Sequence, residues 1–538
     1  MHYLYYLQEP FRRIHRRAIK HVRRFTTDLD SQSMRNEIGM LVDNMSDPAE
    51  KKAFIIEMQM FSKLLNRYIA EASQKLNWEK VHSLATNQIY HYDQLPRSSD
   101  EPQLFKKLAV LKVNGGLGTS MGLDGAKSAL EVKNGFTFLD FAIQQIACVN
   151  TNHSVDIPLL LMTSFNTHDD TLRISQKYNS KQVRIKLFMQ SKYPAVTKDS
   201  LLPCPKDGQN DEVAWYPPGH GDLYTALYRS GELNRLIKEG KEYLFVSNCD
   251  NLGAVVDSRI LRHAADTRAD FIMEVTDRTN MDITGTLIDY DGTIRLLEIG
   301  QVPSDNVKDF TSGTLVRQFK DFNTNNLWIN LRALKKIMDK GGMDLEIIGN
   351  PKVTDDGRSI LQLETAAGAA IRYFSNAHGI NVPRSRFTPV RSCADLLLLK
   401  SDLFALEDGR PVLSKDRLFN TIPVIKLGNS FQKAGPYVML ARFKNIPSLI
   451  DLDRLTVSGD VYFGRNISLR GIVTIVADEG QRLEIPDGCI LENSEHRTSR
   501  NHLFSEVLRP SELVFGNLNM TVFLRFATSA YACSLVFL

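Results

Sequence analysis

From about residue 105 to 385 the chain alternates short apolar runs, LAVLKV, IPLLLMT, VRIKLFM, YLFVSN and DFIMEVT, with helix-like stretches of roughly ten to twenty residues. Alternation of this kind restricts the fold to an α/β architecture, a mainly parallel sheet with helices on both faces. Ligands of such sheets sit beyond the carboxyl ends of the strands. The residues that fall there are Asn114 after LAVLKV, Ser164 after LLLMT, Gln190 after IKLFM, and Asn248 and Asp250 after YLFVS. Separate stretches of chain therefore converge on one cleft.

The first of these strands runs directly into a glycine-rich turn, LAVLKVNGGLGTSMGLDGAKSALE over residues 108–131. Gly115, Gly116, Gly118 and Gly122 lack a β-carbon, so the turn can bring its amides close to anionic oxygens. Lys127 then offers one cation to a triphosphate. The spacing G-x-G-x-x-x-G departs from the dinucleotide fingerprint, and Gly-Ala-Lys-Ser departs from the Walker ending. A phosphorylated nucleotide is expected, held by neither a dehydrogenase nor a Walker loop.

With 538 residues the chain exceeds what one hydrophobic core usually serves, so two or three domains are expected. A content of 43% hydrophobic and 24% charged residues excludes disorder through the body. The net charge of +4 is small, and much of the excess sits at the amino end, which leaves no broad nucleic-acid footprint. Six cysteines, at 148, 204, 249, 393, 489 and 533, form no C-x-x-C pair and fit reduced thiols in the cytoplasm.

The ends differ from the body. Phe11, Ile14, Ala18, Ile19, Val22 and Phe25 stand at helical spacing, with arginines and Lys20 on the remaining face. A transit segment would be serine-rich, and no serine precedes Ser31, so residues 1–33 read as a basic extension. Residues 34–104 read as a helical lead-in packed on the core, with no chemistry of its own expected. The main α/β body, expected to carry the chemistry, spans 105–400. Within 401–495, short β-branched rungs broken at glycines suggest a small parallel β-helix, whose open end invites self-association. Residues 496–538 form an apolar tail with Arg525 inside it; a membrane anchor needs about twenty apolar residues, and a packed or divergent tail is expected instead.

The glycine loop resembles that of the eukaryotic UTP–glucose-1-phosphate uridylyltransferases, and five further blocks follow in the same order. They are LLLMTSFNTHDDT at 159–171, WYPPGHGDLYTAL at 215–227, YLFVSNCDNLGAVVD at 243–257, FNTNNLWINLRAL at 322–334 and LQLETAAGAAIRYFSNAHGINVPRSRF at 361–387. The resemblance implies a nucleotide-diphospho-sugar transferase-like fold, a left-handed β-helix at the carboxyl end, and homo-oligomers formed through it. It implies uracil and ribose contacts from Val113, Asn114, Gly115, Gly116, Met162, Gln190 and Gly219. Lys127 and Arg391 would act on the phosphates. Sugar-phosphate contacts are implied for His220, Asn248, Cys249, Asp250, Gly285, Glu298, Asn325 and Asn326, with Asp250 also holding Mg²⁺. Two departures stand out: Ala126 where the family often has proline, and Arg391 where it places a lysine. Arginine keeps the charge but replaces a compact ammonium with a planar fork.

The implied reaction is attack by a glucose-1-phosphate oxygen on the α-phosphorus of UTP, giving UDP-glucose and pyrophosphate. A phosphomonoester has its second pKa near ~6, so the nucleophile is already mostly dianionic at neutral pH. The obstacle is repulsion between two anions, and cations with alignment are what the site must supply. Gln190 can both donate and accept at a uracil edge, and the asparagines of FNTNN with Glu298 suit sugar hydroxyls. Two rival readings remain: a uridylyltransferase for N-acetylhexosamine-1-phosphate, and a catalytically silent oligomeric nucleotide-binding scaffold.

Overall fold

The computed structural model describes residues 28–43, 47–71, 76–97, 101–123, 125–178, 183–205, 214–279, 285–303, 306–307, 319–354, 357–432, 435–498 and 506–507. The basic stretch 11–25 and almost all of the apolar tail lie outside them. The apolar runs form strands as expected. In chain order the main ones are β1 (Ile89–His91), β2 (Leu108–Asn114), β3 (Leu159–Thr163), β4 (Ile185–Met189), β5 (Tyr243–Asn248), β6 (Phe271–Asp277), β7 (Asp321–Asn330) and β8 (Ala377–Asn381). They lie side by side in the order β1-β8-β6-β7-β5-β2-β3-β4 within an 11-stranded sheet.

Strands β5, β2, β3 and β4 are parallel neighbours, as are β6, β8 and β1. Strand β7 runs antiparallel between β5 and β6, so the sheet is mixed at its centre. Period-2 alternation sends successive side chains of β2 to opposite faces. Ala109 and Leu111 enter one core with Leu223, Leu227 and Leu331. Leu108 and Val110 enter the other with Leu139, Ile143 and Ile260. Both faces are thus sealed by helices, which leaves the strand ends as the place open to a ligand.

The lead-in comprises α1 (Asp28–Asp43) and α2 (Pro48–Glu71), with α1 starting ahead of the boundary expected at residue 34. Helix α2 packs edge-on against the body through Phe54 with Trp215 and Phe61 with Tyr193. Three further helices bear on the site: α3 (Phe138–His153), α4 (His168–Ser175) and α5 (Leu223–Arg229), followed by α6 (Ser258–Thr267).

At the carboxyl end the β-branched rungs are strands of two parallel sheets. One joins Val424–Leu427, Leu452–Ser458, Ser468–Val476 and Ile490–Arg497; the other joins Asp460–Phe463, Arg482–Ile485 and Glu506–Val507. From Leu452 onward the chain visits the two sheets alternately. This part is not a separate body. Phe431, Met439, Leu452 and Leu469 share one core with Met121, Leu123 and Leu130 of the glycine-loop region, so the carboxyl rungs brace the loop from behind. No helix among the described residues is long and apolar enough to cross a membrane.

Candidate active site

The turn after β2 is tied down residue by residue. The Asn114 side-chain amide donates to Thr171 Oγ1 at 2.8 Å, and the Asn114 and Gly115 carbonyls accept from Thr167 Oγ1 and Ser164 Oγ at 2.7 and 2.8 Å. Helix α4 and the turn before it therefore fix the loop's path. Gln190, just past β4, donates its backbone amide to Thr163 O at 2.8 Å and lays its side chain over Gly115. A β-carbon on Gly115 would stand 1.9 Å from Gln190 Nε2, which explains the glycine by close approach. Gln190 is buried, and its Oε1 has no hydrogen-bond partner among the described residues. A buried orphan acceptor of this kind wants a donor from a ligand. Met162 and Phe188 lie fully or nearly buried below, with Met162 beside Val113 in the parallel ladder.

Gly115→Ala therefore pushes aside the flexible end of Gln190 and leaves the backbone in place. We expect stability to change little and the KM for UTP to rise about tenfold, the loss of roughly one buried hydrogen bond. Steady-state kinetics beside a thermal melt reads both.

Lys127 leaves the loop and pairs with Asp250, Nζ to Oδ2 at 2.5 Å, both side chains mostly shielded from solvent. Its backbone amide donates to Gly116 O at 3.5 Å. The two residues meet because β2 and β5 are parallel neighbours, with Val113 opposite Asn248. Cys249 is a core residue whose thiol is pushed up to about 12 by burial, so it is inert; its backbone amide donates to Val113 O. Asn248 Oδ1 accepts from Asn325 Nδ2 at 2.8 Å. Asn325 sits at φ 60°, where a bulge between β6 and β7 turns it out of the sheet, and its Oδ1 is buried without a partner among the described residues. The following residue, Asn326, is fully buried, its amide bonded to Glu274 and Asn251.

Across the cleft, Gly219 takes φ +82°, and a β-carbon there would stand 2.7 Å from Thr365 O. This presses the His220 turn onto the strand Ser359–Thr365. His220 Nδ1 accepts the Ala367 amide at 2.9 Å, so the ring's proton sits on Nε2. Burial holds this imidazole down to about 4, which keeps it neutral at working pH. Gly285 and Glu298 meet on a neighbouring wall, where the Gly285 amide bonds a carboxyl that burial has raised above its ordinary range. Arg391 is exposed, with its guanidinium 5.8 Å over Phe322 and 5.2 Å over Phe387. Its loop docks beside Asp250, since Pro389 bridges Asn251 and the Thr388 amide donates to Asn251 Oδ1.

Several of these residues are linked directly. Ser191 N donates to Asp222, whose own amide meets Gly219 O beside His220; His220 accepts from Ala367; Asn323 Oδ1 accepts the Asn325 amide, and Asn325 donates to Asn248; Lys127 pairs with Asp250, and its amide meets Gly116 O. The rim formed by these strand ends and turns gathers an amide oxygen unpaired among the described residues, a lysine and a neutral imidazole donor.

Beneath this rim lies a polar layer that the motifs do not reveal. Glu274, with no exposed surface, accepts from both arms of Arg386 at 2.6 and 2.8 Å, from Trp328 Nε1 at 2.8 Å and from Asn326. Arg386 also reaches Asp257, which caps α6. Lys112 is buried within β2 and donates to Ser247 Oγ and Ala254 O, on either side of Asp250; burial draws it down to about 8. The available signal was a charge inside an apolar run, FIMEVT or LAVLKV, because a buried charge needs partners.

The chain is similar to proteins of one family along most of its length. The family model described as UTP–glucose-1-phosphate uridylyltransferase matches residues 58–470. The Saccharomyces cerevisiae UTP–glucose-1-phosphate uridylyltransferase is 48% identical over 475 residues, covering 87% of this chain and 94% of the relative. The Hordeum vulgare enzyme of that name is 48% identical over 461 residues, covering 84% and 96%. A mutant UDP-glucose pyrophosphorylase from Leishmania major, solved in complex with UDP-glucose, superposes with a TM-score of 0.72 at 36% identity, covering 81% of this chain and 96% of that one. The UDP-glucose phosphorylase of Trypanosoma brucei gives 0.74 at 34% identity, covering 86% and 100%. With its family model matched over residues 58–470 and a relative 48% identical across 87% of the chain, this protein belongs to the UTP–glucose-1-phosphate uridylyltransferases.

Proposed function

We infer that the chain makes UDP-glucose and pyrophosphate from UTP and glucose-1-phosphate. The observation that carries the reading is the linked set of residues around the glycine turn: Gln190 with its unpartnered Oε1, Lys127 paired with Asp250, and Asn248 joined to Asn325. In our reading the uracil edge takes up the orphan Gln190 Oε1, and the triphosphate lies along the amides of Gly115 and Gly116. Lys127 bears on the phosphates. The glucose moiety faces Asn248, Asn325 and the Gly285–Glu298 wall. His220 donates its Nε2 proton in a hydrogen bond to a phosphate oxygen and needs no change of charge, because the attacking phosphate oxygen is already anionic. Arg391, carried beside Asp250 by its loop, adds positive charge at the cleft mouth.

The chemistry of the donor set suits the implied Mg²⁺. Among the described residues no cluster of three or more carboxylate, histidine or cysteine side chains gathers, and Asp250 stands alone at its strand end. Magnesium takes one or two carboxylates and completes its shell with phosphate oxygens and water. When bound, the ion supplies positive charge against the phosphates. Asp250 would hold it, and Lys127, paired with Asp250 in the free protein, would then be released to the phosphates. Asp250→Asn should raise the Mg²⁺ concentration needed for half-maximal rate; an unchanged metal titration removes Asp250 as the ligand.

We further propose that copies associate through the carboxyl rungs and that the enzyme works in the cytoplasm. Leu418, Phe419 and Ile422 are exposed beside the edge strand Val424–Leu427, and exposed Ile472 stands in the same sheet row as Val424. An apolar patch at a sheet edge favours a partner. The five described cysteines are free thiols, in keeping with a reducing compartment.

The test is pyrophosphate release from UTP and Mg²⁺ with either sugar phosphate. Turnover with glucose-1-phosphate well above that with N-acetylglucosamine-1-phosphate supports the reading. The reverse preference selects the acetamido sugar, and UTP binding without turnover selects the scaffold.

A further inference from the structure

The segment after β4 is held by an arrangement that base recognition alone does not require. Three successive backbone amides are pinned by three different elements: Gln190 N donates to Thr163 O at 2.8 Å, Ser191 N to Asp222 Oδ2 at 2.6 Å, and Lys192 N to Glu57 Oε2 at 3.4 Å. Two of the three acceptors are carboxylates. Asp222 occupies the N-cap position of α5, where such a side chain ordinarily accepts the helix's own first amides. It makes no cap hydrogen bond and reaches across to Ser191 instead. Glu57 comes from α2 of the lead-in, a region whose sequence carries no motif. Arg229, at the far end of α5, ties this corner together: its guanidinium lies 3.5 Å from Glu57 Oε1 and donates to Ser191 Oγ at 3.3 Å. Burial raises the carboxyls of both Glu57 and Asp222, the latter to about 6, so each is costly to keep where it is.

A side-chain amide by itself does not choose between pyrimidines. Uracil offers a donor at N3 and an acceptor at O4, cytosine the reverse, and a glutamine satisfies either by turning its amide over. Only a glutamine whose backbone and amide orientation are fixed discriminates. Here the backbone is pinned at three points, and the amide nitrogen is seated over Gly115 while the oxygen stays free. We propose that Asp222 and Glu57 are positioning residues that lock Gln190 in the orientation accepting the uracil N3–H, and so set the preference for UTP over CTP. The inference rests on the reading of Gln190 as the base contact.

The experiment measures kcat/KM for UTP and CTP in four variants beside the native chain: Asp222→Ala, Asp222→Asn, Glu57→Ala and Gln190→Ala. Asp222→Ala and Glu57→Ala are expected to raise the KM for UTP and lower the UTP:CTP ratio about tenfold, the scale of a slightly misplaced contact. Asp222→Asn keeps an oxygen for the Ser191 amide and should restore most of the ratio. The KM for glucose-1-phosphate in Glu57→Ala should stay near the native value, since Glu57 lies on the base side only. A ratio unchanged in both alanine variants while Gln190→Ala collapses it overturns the positioning role. A ratio unchanged in Gln190→Ala overturns the base contact itself. Should Asp222→Ala fail to fold, Glu57→Ala decides alone, because loss of kcat with an intact ratio there also refutes the proposal.

Discussion

Lys127→Ala is expected to lower kcat/KM about 10³-fold, the scale found when a preorganised cation or donor is withdrawn from developing phosphate charge. The loss should fall on turnover, with uridine binding mostly intact. The proposed base end comprises Gly115, Ser164 and Gln190, and none of these depends on the lysine side chain. In the free protein Lys127 neutralises Asp250 at 2.5 Å. Bound phosphates compete for that same cation. Parallel titrations with uridine and UTP separate the outcomes: a matched loss of both affinities would remove Lys127 from the phosphates.

The second large effect lies below the rim. Glu274→Ala strips a fully buried carboxylate from Arg386, Trp328 and Asn326 at once, leaving a charged guanidinium and an indole N–H short of acceptors. Breaking one side of a buried ion pair typically costs about 3–5 kcal/mol. Chemical denaturation should therefore show a loss of that order, and kcat should fall as well, since Asn326 supports the bulge that presents Asn325. A loss under ~1 kcal/mol would mean that the pair contributes little to holding β6 and β7 in place.

Much of this was legible in the residues. The strand and glycine turn of 108–131 are plain in the residues, and the positions Asn114, Gln190, Asn248 and Asp250 fall at strand ends simply because apolar runs stop there. What remained hidden has physical causes. Strand order is not encoded locally, so the antiparallel course of β7 between β5 and β6, and with it the bulge at Asn325, appears only when the sheet is assembled. Glu274 and Arg386 are 112 residues apart, and nothing in either neighbourhood names the other. Glu57 belongs to a helix whose pattern reads only as packing, yet its carboxylate reaches the segment beside Gln190. The bracing of the glycine loop by the carboxyl rungs was equally silent, because core-sharing depends on shape rather than on periodicity.

The central claim is that one rim holds the base at Gln190 and the phosphates at Lys127 and Asp250, so that two anions are brought into line between them. A crystal structure of the protein with UDP-glucose and Mg²⁺ tests it most directly. The account predicts the uracil N3 on Gln190 Oε1, the diphosphate along Gly115 and Gly116, Asp250 on the metal, and the hexose against Asn248 and Asn325. A uracil seated away from Gln190, or a diphosphate out of reach of both Lys127 and Asp250, would contradict it.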